Sequence, residues 1–262
     1  MLRSLWSGAS GMIAQQTHLD VVANDLANVN TSGFKKIRAD FQDLIYQINR
    51  EPGGPVEPDS MIPTGIQVGL GTRVVGTTRM FDQGPLQTTG NPTDLAIEGD
   101  GFFQVTMSDG TIAYTRDSNW KIDANGQIVS HDGYLLEPAV IVPEGSSQLT
   151  VSKTGTISVT PEGETVFEEI GQIELAKFIN PAGLRAIGGN LFIESAASGE
   201  AIIGNPGDAG YGTVEQNTIE MSNVQVVEEM VEMIVAQRAY EANSKTITTA
   251  DELLRIANNL RR

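Results

Sequence analysis

A pair of helix-forming stretches at opposite ends of the chain limits what it can fold into. Each is apolar at heptad spacing and neither has a local partner. In the first, Leu2, Leu5, Ala9, Met12, Gln16, Leu19, Ala23 and Leu26 follow alternating steps of three and four. That spacing puts them on one helical stripe with a single polar interruption at Gln16. At ~1.5 Å per residue the helix is about 40 Å long. Asn30-Thr31-Ser32-Gly33 ends it with turn formers and a glycine suited to the left-handed stop. The second stretch opens near Ser222, which with Gln225 has capping-box spacing, while Met221 can staple onto Val226. Val227, Met230, Val231 and Ile234 begin its apolar face. One seam then reads Tyr240, Ile247, Ala250, Leu254 and Ala257, and another Val235, Ala239, Ala242, Leu253, Ile256 and Leu260. Two adjacent seams predict contact with more than one neighbouring helix. Burial along one seam does not offset the entropy of ordering about 27 residues, so the ends are expected to be disordered in an isolated subunit and to fold on assembly.

The middle of the chain has strand periodicity. Phe102-Phe103-Gln104-Val105 and Ile173-Glu174-Leu175 lie among the turn pairs Asp109-Gly110, Asn125-Gly126, Asp132-Gly133 and Glu162-Gly163, which supply the positive φ angles of tight hairpins. The expected fold class is therefore mixed: long N- and C-terminal α-helices pairing as a coiled coil, plus a mostly antiparallel β middle domain. The expected domains are a discontinuous helical one (1–33 and 222–262), a connecting region (34–80 and 205–221) and a β domain (81–204). Within the connector, residues 50–63 hold Pro52, Gly53, Gly54, Pro55, Pro58 and Pro63, which predicts an extended or looped insert. Phe34, Ile37, Phe41, Leu44 and Ile48 have helical spacing.

Composition narrows the function. The 262 residues contain no cysteine, which removes disulfides, thiolate metal sites and cysteine nucleophiles. The formal net charge of −16 repels a phosphate backbone. No apolar run approaches the ~20 residues of a membrane span, and the weakly apolar start, broken by Ser7, Gly8, Ser10 and Gly11, does not read as a signal peptide. His18 and His131 have no ligand-like cluster around them. Gly69-Leu70-Gly71 reads as a turn or bulge, and Asp94, Glu98 and Asp100 as turn chemistry. Glu228, Glu229 and Glu232 read as a solvated face near the positive end of a helix. The segment from Ala23 to Lys36 supports two readings equally. It is either a helix terminus satisfied by local polar groups, or a packing corner where asparagines bond across subunits and Phe34 anchors the turn.

Asn24-Asp25-Leu26-Ala27-Asn28-Val29-Asn30-Thr31-Ser32-Gly33-Phe34-Lys35 resembles the N-terminal signature of the rod and hook proteins of the bacterial flagellum, with Asp25 where that family usually has asparagine. Gln83-Gly84-Pro85-Leu86-Gln87, the run from Gly99 to Val105, and Tyr114-Thr115-Arg116-Asp117 are similar to motifs of its middle domain. The runs from Asn223 to Met230 and from Gln237 to Lys245 resemble its C-terminal signature. The short length, Asn180-Pro181-Ala182-Gly183-Leu184, the run from Gly188 to Phe192 and the Pro/Gly insert resemble the distal rod more than the larger hook. The resemblance implies a structural subunit and not an enzyme. It would be exported by the flagellar type III apparatus without a cleaved signal peptide, and would polymerise helically into the periplasm-spanning shaft that transmits torque. Implied partners are copies of itself, proximal rod subunits, hook or junction subunits, the surrounding ring proteins and the export apparatus. No cofactor, metal, nucleic acid or small-molecule substrate is implied. Leu5, Met12, Leu19, Leu26, Asn28, Phe34, Met230, Ile234, Tyr240, Ile247 and Leu254 are the candidate assembly residues.

Overall fold

The structure, a computed structural model, describes residues 2–51, 55–57, 60–61, 63–143, 145–161 and 167–259. The chain forms two compact units. The first comprises Met1–Ala27, Ile37–Thr78 and Gln225–Arg262, and the second Asn28–Lys36 and Arg79–Val224.

In the first unit, helix α1 (Leu2–Ala27) and helix α2 (Val226–Asn259) pack on each other. They run antiparallel. A Cβ built at Gly8 would sit 3.0 Å from Ile247 Cγ1, and one at Gly11 would sit 2.8 Å from Asn243 Nδ2. Farther along, His18 Nε2 lies 3.7 Å from a Glu232 carboxylate oxygen. The stripe of α1 that meets α2 is therefore Gly8, Gly11 and His18, one position before the expected seam of Leu5, Met12 and Leu19. One residue is about 100° of helix rotation, and the missing side chains of the glycines allow the close approach. Helix α2 begins at Val226, where Glu229 N donates to Gln225 O at 3.0 Å. The expected capping box at Ser222 does not form, because the Ser222 hydroxyl accepts from Val224 N, two residues on, at 3.3 Å. The expectation that Glu228, Glu229 and Glu232 share a solvated face is also corrected, since Glu229 is fully buried. Large apolar side chains of both helices face solvent, with Trp6 73%, Ile13 67% and Val227 76% exposed.

Strands complete this unit. Ile37–Asp43 pairs with Thr72–Arg79, and Tyr46–Arg50 pairs antiparallel with Ile66–Gly69. The helix expected from Phe34, Ile37, Phe41, Leu44 and Ile48 is thus a strand run. Its three-and-four spacing coincides with strand alternation at Ile37, Ala39 and Phe41, and the β-branched run Thr72–Arg79 offers a ladder partner. Pro55–Glu57 pairs with Ser60–Met61, so part of the insert is a hairpin. Pro52, Gly53, Gly54 and Pro58 of the insert, the turn at Glu162-Gly163 and the seam residue Leu260 lie outside the described residues.

The second unit is built on an antiparallel sheet. Its path runs through Lys121–Ile122, Ile128–Val129, Leu135–Glu137, Phe102–Thr106, Ile112–Thr115, Leu191–Ile193 and Arg185–Gly188, with Leu175–Lys177 pairing both Phe102–Thr106 and Ile202–Gly204. Successive side chains of Phe102–Thr106 point to opposite faces. Phe103 and Val105 join Trp120, Leu136, Ile157 and Leu175 in the main core, while Phe102 joins Tyr114, Phe178 and Phe192 in a second cluster. Gly110, Gly126 and Gly133 have φ of 81°, 77° and 84°, as the expected Asp-Gly and Asn-Gly turns require. Leu95–Glu98 pairs with Thr213–Gln216, and Leu86–Thr88 with Thr218–Glu220, which brings the end of this unit's chain beside its beginning.

Candidate functional site

Residues 28–36, most of the N-terminal signature, belong to the second unit and form a strap across it. The strap leaves α1 in a turn in which Thr31 N donates to Asn28 O and Thr31 Oγ1 to Asn28 Oδ1, both at 3.1 Å. The Ser32 hydroxyl bonds the Asp117 carboxylate, and Asn190 Nδ2 donates to Ser32 O at 2.9 Å. Gly33 has φ +67°, and its N–H donates to Glu220 O at 2.9 Å. A Cβ there would lie 2.6 Å from the carbonyl carbon and oxygen of Arg116, so backbone angle and space both demand glycine. Phe34 is 6% exposed. The Arg79 guanidinium lies 5.6 Å from its ring centroid and 5.2 Å from that of Phe192. Lys36 N donates to Asn223 Oδ1 at 2.7 Å, and Asn223 Nδ2 donates to Met80 O and Asp82 O.

The centre of the corner is ionic. Lys35 and Glu220 are fully buried, with Nζ and Oε1 2.7 Å apart. Arg116 approaches the other carboxylate oxygen at 3.3 Å and donates to Gly99 O at 2.6 Å. Gly84 N donates to Glu220 Oε1 at 3.0 Å, Lys35 Nζ to Asp82 O at 2.7 Å, and the Ser118 hydroxyl accepts from Glu220 N at 3.1 Å. Burial lowers the pKa of Lys35 against the opposing pull of Glu220, and burial likewise lowers that of Arg116. Burial raises the pKa of Asp117, with the Ser32 hydrogen bond opposing it. Motifs scattered through the sequence meet here: Gly84, Gly99, Arg116 and Asn223 all come from runs that carried the resemblance. Sequence reasoning did not find Glu220. The available signal was the pair of cations, Lys35 and Arg116, each in a run otherwise suited to burial.

Of the candidate assembly residues, Asn28 and Phe34 lie in the strap, and of these Phe34 is buried. Leu5, Met12, Leu19, Leu26, Asn28, Ile247 and Leu254 are half-buried, and Met230, Ile234 and Tyr240 are exposed. Asp25, at the signature's departure from asparagine, is fully buried and accepts from Ile37 N through both carboxylate oxygens, at 3.0 and 3.3 Å. A backbone N–H is satisfied by a carboxylate as well as by an amide oxygen. His18 packs edge-on against Phe41 at 5.8 Å, and His131 is exposed. The Asp94 carboxylate accepts from Thr89 and Asn91 within its own turn. Among the described residues no three His, Asp or Glu side chains converge as a metal site, and no helix is long and apolar enough to cross a membrane.

Apart from Arg116 Nε, which is buried without a hydrogen-bond partner, the polar groups of the corner are directed at one another, so the corner fastens chain segments together. Fastened segments, paired terminal helices and solvent-facing apolar stripes suit a structural subunit. Comparison with known proteins agrees. The family model described as "Flagella basal body rod protein" matches residues 5–35, "Flagellar hook protein FlgE/F/G D1 domain" matches 96–159, and "Flagellar basal body rod FlgEFG protein C-terminal" matches 215–260. The chain is 53% identical to the flagellar basal-body rod protein FlgG of Borreliella burgdorferi, over 100% of both chains. It is 44% identical to that of Caulobacter vibrioides over 99% of this chain and 100% of the relative, and 42% identical to that of Bacillus subtilis over 100% of both. The chain belongs to the flagellar basal-body rod protein family. It is a structural rod subunit of the flagellar basal body and not an enzyme.

Proposed function

We propose that this chain polymerises helically into the distal rod, the drive shaft that crosses the periplasm and transmits torque. One observation carries the reading: both outer helices keep apolar stripes in solvent while packed on each other, including Trp6 and Ile13 of α1 and Val227, Met230, Val231, Ile234 and Val235 of α2. Surfaces of this kind mark association sites, and identical subunits joined by heterologous contacts build an open helical tube. The half-buried Leu5, Met12, Leu19 and Leu26 flank the α1–α2 contact and extend the same surface. Its further partners are the proximal rod subunits, the hook or junction subunits, the surrounding rings and the type III export apparatus, which takes the chain without cleaving a signal peptide.

The test is Ile234→Asp with Val235→Asp in the full chain. The expected variant folds with an unchanged Trp120 core signal, is exported, and leaves basal bodies that lack a completed rod in electron micrographs of non-swimming cells. Rods of normal length and normal swimming would overturn the reading.

A further inference from the structure

We infer that the strap of residues 28–36 closes last, gated by Glu220, so that the N-terminal segment stays unfastened until the strand Thr218–Glu220 is in place. This inference concerns the folding of one chain and stands independently of the rod reading. Lys35 and Glu220 are separated by 185 positions, yet both are fully buried and in contact. The charge arrangement is asymmetric. Before the strap closes, Glu220 has a cation in Arg116 and a donor in Gly84 N, and its backbone N–H is held by the Ser118 hydroxyl. It tolerates waiting. Lys35 has less reserve. Closing the strap without Glu220 would bury its ammonium near the like charge of Arg116, with the Asp82 carbonyl as its remaining acceptor in the corner and the weaker pull of the Asp82 charge as its remaining compensation. An uncompensated buried charge is among the costliest defects in a fold. The backbone repeats the dependence, because Gly33 N donates to Glu220 O. A chain made from its N-terminus therefore cannot fasten its first arm until its last strand exists.

Hydrogen exchange at the Gly33 and Lys36 amides, both bonded across the corner, reads the strap. Amides of Phe102–Thr106 and Ile112–Thr115 read the core. In Glu220→Gln the strap amides should exchange on the order of 100-fold faster or more while core protection is unchanged. Lys35→Met removes the charge that needs compensation, so Lys35→Met with Glu220→Gln should recover much of the lost strap protection. Pulse-labelled refolding of the native sequence should show strap amides protected no earlier than Ile219 and Glu220. Wild-type exchange at Gly33 and Lys36 in Glu220→Gln would overturn the inference. So would a double variant no better protected than Glu220→Gln alone, or strap protection that precedes the last strand. If Glu220→Gln does not fold, the refolding experiment on the native sequence decides.

Discussion

At the scale of single residues, Gly33 carries the most stringent requirement in the corner. A side chain there meets a left-handed backbone cost of ~1–2 kcal/mol and a forced shift of the Arg116 backbone worth ~1–3 kcal/mol more. Gly33→Ala should therefore lower unfolding stability by about 3 kcal/mol, seen as an earlier urea midpoint with an unchanged slope. Asp117 gives a pH signature. Its pKa is raised by burial, so the folded state holds a proton that the unfolded chain has released. Stability is then fully present below the unfolded value near 3.8 and is lost as pH rises through the folded pKa. Asp117→Asn keeps an acceptor for Ser32 without the buried charge. Its stability relative to the native sequence should be highest at neutral pH, and this advantage should fade as pH falls toward 4. Denaturant titrations at pH 4 and pH 7 check the sign, and an advantage that grows on acidification contradicts it.

At the scale of elements, the two long helices and the hairpin turns were legible in the sequence because heptad spacing and Asn-Gly or Asp-Gly pairs act locally. The placement of the α1–α2 contact was not. The leucines mark a stripe, but glycine carries no hydropathy signal, and Gly8 and Gly11 set the contact by what they lack. The strand Ile37–Asp43 misled for a related reason. Five apolar residues at steps of three and four fit a helix until a partner strand from residue 72 onward is present. Glu220 was invisible because a buried carboxylate is justified by groups from three distant segments, at Lys35, Gly84 and Arg116. In the ribbon of Tyr46–Arg50 and Ile66–Gly69 the first strand is exposed along its length and the second at Ile66 and Gln67, with Tyr46, Ile48 and Ile66 about half in solvent. An isolated two-stranded ribbon is marginally stable by itself, so it adds little to the fold it extends from. Removing residues 46–69 should leave the thermal transition nearly unmoved, since Leu44 N and Gly71 O already close the shortened hairpin at 2.9 Å. We propose that this ribbon and its insert wedge between neighbouring subunits of the rod and keep it straight; without them the polymer should bend more easily, and an equally stiff, straight polymer in micrographs counts against that role.

At the scale of the whole molecule, the covered and uncovered surfaces of the two units differ in kind. The β unit has its own closed core around Phe103, Trp120 and Leu136. The two helices share a glycine-lined contact and bury Ala14, Val22, Ala236 and Ala250, but leave Trp6, Ile13, Val227 and Val235 in solvent. The dilute monomer should therefore give dispersed amide signals for the β unit and collapsed, rapidly exchanging ones for residues 5–25. Sharp, dispersed signals across 5–25 would refute this. The turn at Asp109-Gly110 lies on the closed unit, with Asp109 exposed and open space beyond Gly110. Because the sequence contains no thiol, one cysteine exchanged for Asp109 would take a single maleimide dye per subunit. With one dye on every copy, the brightness of an isolated rod would count its subunits.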